Sequence, residues 1–469
     1  MFTLLFFDDW YLSVRQNLAR RVGQPKQNHE GTFEDPHADV SWGYPSVFQD
    51  PATGRWRCLY QGEPQFGLHL PLMIESDDGV HWQVPDLSQT NELSPRHTPH
   101  QLFGREHFHE WSPSFVDPNA KGTDQWIKGL VVERTSGPIS DSARLLTSGD
   151  GIHWNTQEGI RWHPYVGDPI ATAFWNPYRQ SYVLTARPTL NDRRVAVLET
   201  RDWKQFTTPE LALQPDALDT PCAEAYGMPV FQYEHMFIGL LWVYHTTPVV
   251  DAKHKYVTGK IDCYLSYSYN GWHFQRTVRD PFIPNADPDQ HGAGCIYTSS
   301  MIVNNPSAIR FYSSSSKGEH AVARGGKDAH QSALLLHELR PDGFVYLEPE
   351  GGRGELLTRL LLWEGGEAKI NVNAPYGEVR VQIMDSEGEI IEGYEFENCQ
   401  PFTGDDLAWQ PTWQNGRTLS ALANQIIRIG VRLTNGRLYA LRGEFEIRML
   451  GEARNFLDNG IKMPRRLGF

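Results

Sequence analysis

Ser76-Asp77-Asp78-Gly79-Val80-His81-Trp82 is a short polar turn that ends in an aromatic, and the pattern returns along the chain. Later copies are Ser148-Gly149-Asp150-Gly151-Ile152-His153-Trp154, Thr200-Arg201-Asp202-Trp203-Lys204-Gln205-Phe206, Ser268-Tyr269-Asn270-Gly271-Trp272-His273-Phe274 and Arg340-Pro341-Asp342-Gly343-Phe344. The closing aromatics stand at 82, 154, 206, 274 and 344, so the steps run from 52 to 72 residues. Aspartate or asparagine before glycine suits a tight hairpin, and the aromatic opens the next strand. Five such units separated by short strands predict an all-β array of five propeller blades.

Each unit should open with the strand nearest the axis, ahead of its turn. Tyr44-Pro45-Ser46-Val47-Phe48, Ser112-Pro113-Ser114-Phe115-Val116, Asp168-Pro169-Ile170-Ala171-Thr172-Ala173-Phe174, Tyr226-Gly227-Met228-Pro229-Val230-Phe231 and Ile296–Val303 fit that place. Proline is tolerated where a strand begins, not in its middle.

The chain has 469 residues, 40% of them hydrophobic and 12% aromatic, with 41 glycines and 31 prolines for many turns. That exceeds one domain of about 100–200 residues. The expected division is a propeller over 1–345 and a β-sandwich over 346–469 that ends in a short tail. Lys369–Asn373, Glu378–Ile383 and Ile426–Leu433 alternate as half-buried strands in the second part. A net charge of −14 argues against nucleic acid and anionic membrane as partners. Cys58, Cys222, Cys263, Cys295 and Cys399 lack metal-ligand or disulfide spacing and are expected as reduced thiols. The opening Met1–Asp9 has no basic region before its acids, and no later apolar run reaches about 20 residues. A cytoplasmic protein is expected.

Residues at the starts of the inner strands gather at one mouth of a propeller. These are Asp35 and Asp39 before blade one, His107, His109 and Glu110 before blade two, Asp168 on blade three, Glu224 before blade four and His291 before blade five. Carboxylates thus converge from several blades, and two acids are the minimum equipment for cleaving a glycosidic bond. Glu224 lies between Cys222-Ala223 and Ala225-Tyr226-Gly227, apolar surroundings that raise a carboxylate's affinity for its proton and suit a general acid. Asp39 stands nearer its strand than Asp35; Asp9, after Leu4-Leu5-Phe6-Phe7, is a reserve acid more suited to a salt bridge. Which of the three N-terminal acids acts is left open. Glu110 and His109 suit substrate hydroxyls, and Trp42, Trp111 and Trp175 near the mouth offer faces to sugar rings. Trp82 and Trp154 should pack between blades. The histidines and acids at 106–110 lack a third partner at metal-ligand spacing, so neither metal nor cofactor is expected.

With these features the chain resembles the invertase and levanase type of glycoside hydrolase, family 32, and its family 43 relatives. The resemblance is carried by Asp39, by Asp168 in Gly167-Asp168-Pro169 and by Glu224 in Cys222-Ala223-Glu224. It implies a nucleophile or base at Asp39, a transition-state stabiliser at Asp168 and a general acid at Glu224. A similarity over almost the whole length is to bacterial family-32-like proteins. It rests on Leu5-Phe6-Phe7-Asp8-Asp9, Leu339-Arg340-Pro341-Asp342-Gly343-Phe344, Gly354–Thr358, Asp385–Gly388 and Gly404–Asp406. The expected activity is hydrolysis of a furanoside or another small glycan, with oligosaccharide as partner. Arg187, Asp192 and Arg194 are the expected holders of substrate hydroxyls, with Trp42, His109, Glu110 and His291 around them. Two alternatives stay open: a non-catalytic carbohydrate-binding propeller, and a phosphorylase or transferase on the same fold.

Overall fold

The computed structural model describes residues 1–91, 93–104, 110–134, 141–162, 172–187, 193–250, 257–320 and 331–461. The chain divides into two compact units, Pro25–Leu339 and a second made of Met1–Gln24 with Arg340–Phe469.

Pro25–Leu339 is a five-bladed β-propeller. Blade one runs Ser46–Gln49, Trp56–Gln65, Leu68–Ser76 and Trp82–Gln83 from inside to outside. Blade two is Phe115–Val116 with Glu110–Trp111, then Ile127–Arg134, Asp141–Ser148 and Trp154–Trp162; blade three is Thr172–Asn176, Ser181–Ala186, Val195–Thr200 and Glu210–Leu213. Blade four is Ala223–Gly227 with Val230–Tyr233, then Met236–Val250, Val257–Ser268 and Gln275–Arg276. Blade five is Cys295–Asn305, Ala308–Ser316 and Ser332–Leu339, and its outermost strand is Lys26–Phe33 from near the start of the chain.

The inner strand of each blade has a free sheet edge, whose backbone N–H groups need partners away from water. Hydroxyls supply some of these partners across blades and bond carbonyls there as well. Ser46 Oγ accepts from Ser114 N at 2.7 Å, and Ser300 Oγ accepts from Val47 N at 3.1 Å. Thr172 and Thr185 donate to the Met228 carbonyl at 3.2 and 2.6 Å. Pro113 and Pro229 each fall at the break between two short pieces of an inner strand, where a missing N–H costs no ladder bond.

The repeated turns are closed by side chains. Ser76 Oγ accepts from Gly79 N at 2.9 Å, while Asp78 Oδ1 accepts from the backbone of Val80 and His81, each at 2.8 Å. Ser148 with Asp150, Thr200 with Asp202, and Ser268 with Asn270 repeat the arrangement. The third residue of each loop has positive φ: Gly79, Gly151 and Gly271, with Trp203 in the third copy. The closing aromatics then pack between blades: Trp82 lies against the blade-one and blade-five layer, and Trp154 against the layer between blades one and two. Apolar layers between consecutive blades therefore form the core, rather than one central cluster.

The fifth turn is different. Arg340-Pro341-Asp342-Gly343 begins the second unit, where its strand Val345–Pro349 pairs with Leu18–Val22. The N-terminal strands, expected within the propeller segment, also belong to this unit: Phe2–Leu5 pairs with Arg437–Ile447 and Leu12–Gln16 with Arg353–Thr358. This unit is the β-sandwich, built on a nine-stranded hydrogen-bonded sheet whose 24-residue strand Leu361–Met384 carries much of the buried core. Trp413 is fully buried there, donating to the Val381 carbonyl at 3.0 Å. Among the described residues no helix is long and apolar enough to cross a membrane.

Candidate functional site

The end of the propeller where the inner strands begin carries a run of aromatic rings. Tyr44 stacks on Trp242 with centroids 5.5 Å apart, and Tyr297 meets both edge-on. Tyr226 contacts Tyr297 at 5.7 Å and Tyr244 at 6.0 Å. His320 is the hub. Its ring lies 4.9 Å from Tyr226, 5.0 Å from Tyr244 and 5.9 Å from Trp42, and its Nδ1 is 3.1 Å from the Tyr297 hydroxyl. Its backbone N–H donates to Gly259 O at 2.8 Å, which ties blade five to blade four at this height.

Glu224 lies on the inner strand of blade four, directly opposite Tyr244 on the next strand. Arg193, from blade three, donates through Nη1 to Glu224 Oε2 at 2.6 Å and lays its guanidinium 5.2 Å from the Tyr244 ring centre. The Arg193 carbonyl accepts from Ala225 N at 2.8 Å, so backbone and side chain of one residue fix the acid's neighbourhood. Glu224 thus faces a cation, not only the small apolar residues around it in sequence. Burial, with the nearby Glu224 carboxylate adding to it against Arg193, pushes the Tyr244 phenol up to about 12. Tyr244 therefore stays a hydrogen-bond donor at ordinary pH. Arg187 is buried and stacks on Tyr226, with 4.9 Å from guanidinium to ring centre.

Asp39 enters from the segment before blade one. It forms a two-way backbone bridge with Glu63, 3.1 and 2.8 Å, which puts the two carboxylates on one face. Its Oδ1 accepts from Ser41 N at 2.8 Å. Asp39, Trp42, Gln61, Gly62, Glu63 and His69 close around a cleft too tight to admit a water molecule, and the His69 ring stands 6.0 Å from Trp42. Trp42 in turn touches His320, so ring contacts run without a break from the Asp39 cleft to the Glu224–Arg193 pair. Larger hollows of about 450 and 350 Å³, at Asp150–His153–Trp154 and at Arg276–Arg279, lie along outer strands and blade turns, away from these rings.

The other expected residues divide. Glu110 is buried on the inner strand of blade two, opposite Val132. Arg194 hydrogen-bonds Gln214 at 3.1 Å beyond the outer strand of blade three, and His291 lies 3.0 Å from Glu34. Asp168, His107, His109 and Asp192 lie outside the described residues. Trp111 and Trp175, expected near the mouth, pack instead in the interblade layers: Trp111 is fully buried against Phe103 and Trp154, and Trp175 meets Tyr182 at 4.9 Å. Of the N-terminal acids, Asp35 is buried with Tyr60 and His100, whose Oη and Nε2 lie 2.8 and 3.1 Å from its Oδ2. Burial raises its pKa, yet the His100 hydrogen bond and charge, with the His37 N–H and the Tyr60 hydroxyl, hold it below the usual range. Asp9 lies in the second unit and pairs with Arg15 and Arg20. Arg193, His320, Glu63 and His69 were not singled out in the sequence. Among the described residues no group of three or more His, Cys, Asp or Glu is placed to hold a metal ion.

No family model and no curated protein matches the chain. Among solved structures it is similar to a family-32 β-fructofuranosidase of Bombyx mori, at 12% identity over 89% of this chain and 95% of that one, with a TM-score of 0.40. It is also similar to a family-43 arabinoxylan arabinofuranohydrolase from Bacillus subtilis, at 12% identity over 91% and 99% with a TM-score of 0.39. A third is an N-acetylgalactosamine deacetylase from F. plautii, at 12% identity over 69% and 96% with a TM-score of 0.48.

Proposed function

We propose that this chain is a glycan-active enzyme, and more narrowly a glycoside hydrolase that cleaves a furanoside or another small glycan with two carboxylates. The observation that carries this reading is the pair Asp39 and Glu224, from different blades, joined by one unbroken set of rings. Aromatic faces bind the apolar sides of sugars, and phenol, imidazole and guanidinium groups supply donors for their hydroxyls.

In this mechanism Glu224 gives its proton to the leaving glycosidic oxygen. Arg193 holds Oε2, which leaves Oε1 for the transfer. Asp39 attacks the anomeric carbon or takes a proton from the attacking water, and Asp168 steadies the positive charge on the ring. Tyr244 and Arg187 orient hydroxyls. The rival reading, a sugar-binding propeller without turnover, draws on the same Arg193–Glu224 pair, since a clamped carboxylate also serves as a fixed hydrogen-bond acceptor.

Aryl arabinofuranosides and fructosides, with pyranoside controls, separate the two. Wild-type protein is expected to release the aryl group, and Glu224→Gln to lose at least about a hundredfold of that rate while still binding the sugar. Sugar binding with no turnover in either protein would establish the binder instead.

A further inference from the structure

The hairpin between the second and third strands of blade one rises beyond the rest of its sheet. The inner strand Ser46–Gln49 ends its pairing at Leu59, opposite Ser46, whereas the hairpin continues to Gln65 and returns from Leu68. Its stem residues Glu63 and His69 line the cleft that holds Asp39 and Trp42. The tip, Gln65-Phe66-Gly67-Leu68, turns on Gly67 at φ +74, and the Gly67 N–H bonds back to the Glu63 carboxylate. The acid of the cleft thus fixes the tip above it. Phe66 sits in the turn that closes the hairpin, three residues past Glu63, and is 75% exposed.

That exposure is selective. Among the described residues Phe66 and Tyr376 are the exposed large aromatic side chains, and Tyr376 belongs to the other unit. The remaining aromatics near the mouth are buried or half-buried against one another. An aromatic face left to solvent, on a tip tied to a site-lining acid, suits the face of a sugar ring better than a packing role.

We infer that the blade-one hairpin is a distal sugar subsite, with Phe66 stacking on a ring one or more units away from the bond near Asp39. The preferred ligand is therefore an oligosaccharide of three or more rings rather than a single-ring glycoside. This inference rests on the glycan reading of the same mouth. The polar stem of Glu63 and His69 bonds hydroxyls between the two positions.

Isothermal titration with arabinose, fructose and their linear oligosaccharides of two to four rings tests it, on wild type, Phe66→Ala and Phe66→Trp. Wild type is expected to bind more tightly as the chain lengthens. Phe66→Ala should weaken binding of three- and four-ring ligands about three- to tenfold and leave the single sugars unchanged, whereas Phe66→Trp keeps the wild-type pattern. Thermal unfolding of both variants should match wild type. Equal affinity of wild type and Phe66→Ala for the long ligands overturns the subsite, as does a loss shared by every length or a marked fall in unfolding temperature. Wild-type binding that ignores chain length also overturns the subsite alone, while no binding of any of these sugars overturns the glycan reading with it.

Discussion

At Glu224, Arg193 Nη1 donates to one carboxylate oxygen at 2.6 Å. The same guanidinium lies over Tyr244, so its plane is fixed from two sides. Replacing Arg193 by Gln should lower kcat/KM on a turned-over furanoside by about ten- to a hundredfold, since a misplaced acid loses its alignment. Lysine there should restore little, having no planar fork for the carboxylate and ring together. Steady-state kinetics beside a thermal melt checks this, with the melting temperature expected to change little at this half-exposed pair. Arg193 also shows where the sequence stops being legible. The segment Arg187–Arg194 points to cations beside the mouth, but whether Arg193 or Arg194 faces the axis depends on the phase in which the strand enters its blade. Arg194 goes to Gln214 and Arg193 to the acid. His320 was hidden for another reason: its neighbours Trp42, before blade one, and Tyr226 and Tyr244, on paired strands of blade four, lie far from it in the chain, and no local pattern announces their meeting.

The inner strands show how short pieces of sheet are held at an axis where no ladder continues. Ser46 and Ser300 accept the otherwise orphaned N–H groups of Ser114 and Val47, and both serines are buried. Each Ser→Ala change should therefore destabilise the propeller by about 1–3 kcal/mol, and because Ser300 binds the residue next to Ser46 the two should couple rather than add. Equilibrium urea unfolding of the single and double variants is the check. At this scale the sequence is at its most readable. A hydroxyl, then an aspartate or asparagine, then a residue at positive φ defines four turns almost atom for atom, and Trp82 and Trp154 pack between blades as expected. The fifth copy misleads, because Asp342 also takes positive φ but its strand joins the sandwich. Trp111 and Trp175 mislead likewise: closeness to a strand start says nothing about which face of the pleat a ring takes.

In the propeller as a whole, closure comes from the start of the chain. Lys26–Phe33 completes blade five by pairing with Ser332–Leu339, so a strand some 300 residues away finishes the ring. The sandwich is discontinuous in the same way, with Met1–Gln24 paired into strands after Arg340. Neither pairing leaves a mark in composition, since edge strands of this length carry no partner-specific pattern. The ring contacts that run from Trp42 through His320 and Tyr244 to Arg193 span the mouth, and the central claim proposed above is that Asp39 and Glu224 act on one sugar there. Its most direct test is a crystal structure of Glu224→Gln soaked with an arabino- or fructo-oligosaccharide that wild type cleaves. A sugar ring seated between Asp39 and the substituted side chain, in contact with Trp42 or Tyr226, is the predicted result; a sugar bound elsewhere, or a mouth that stays closed to it, would contradict the account.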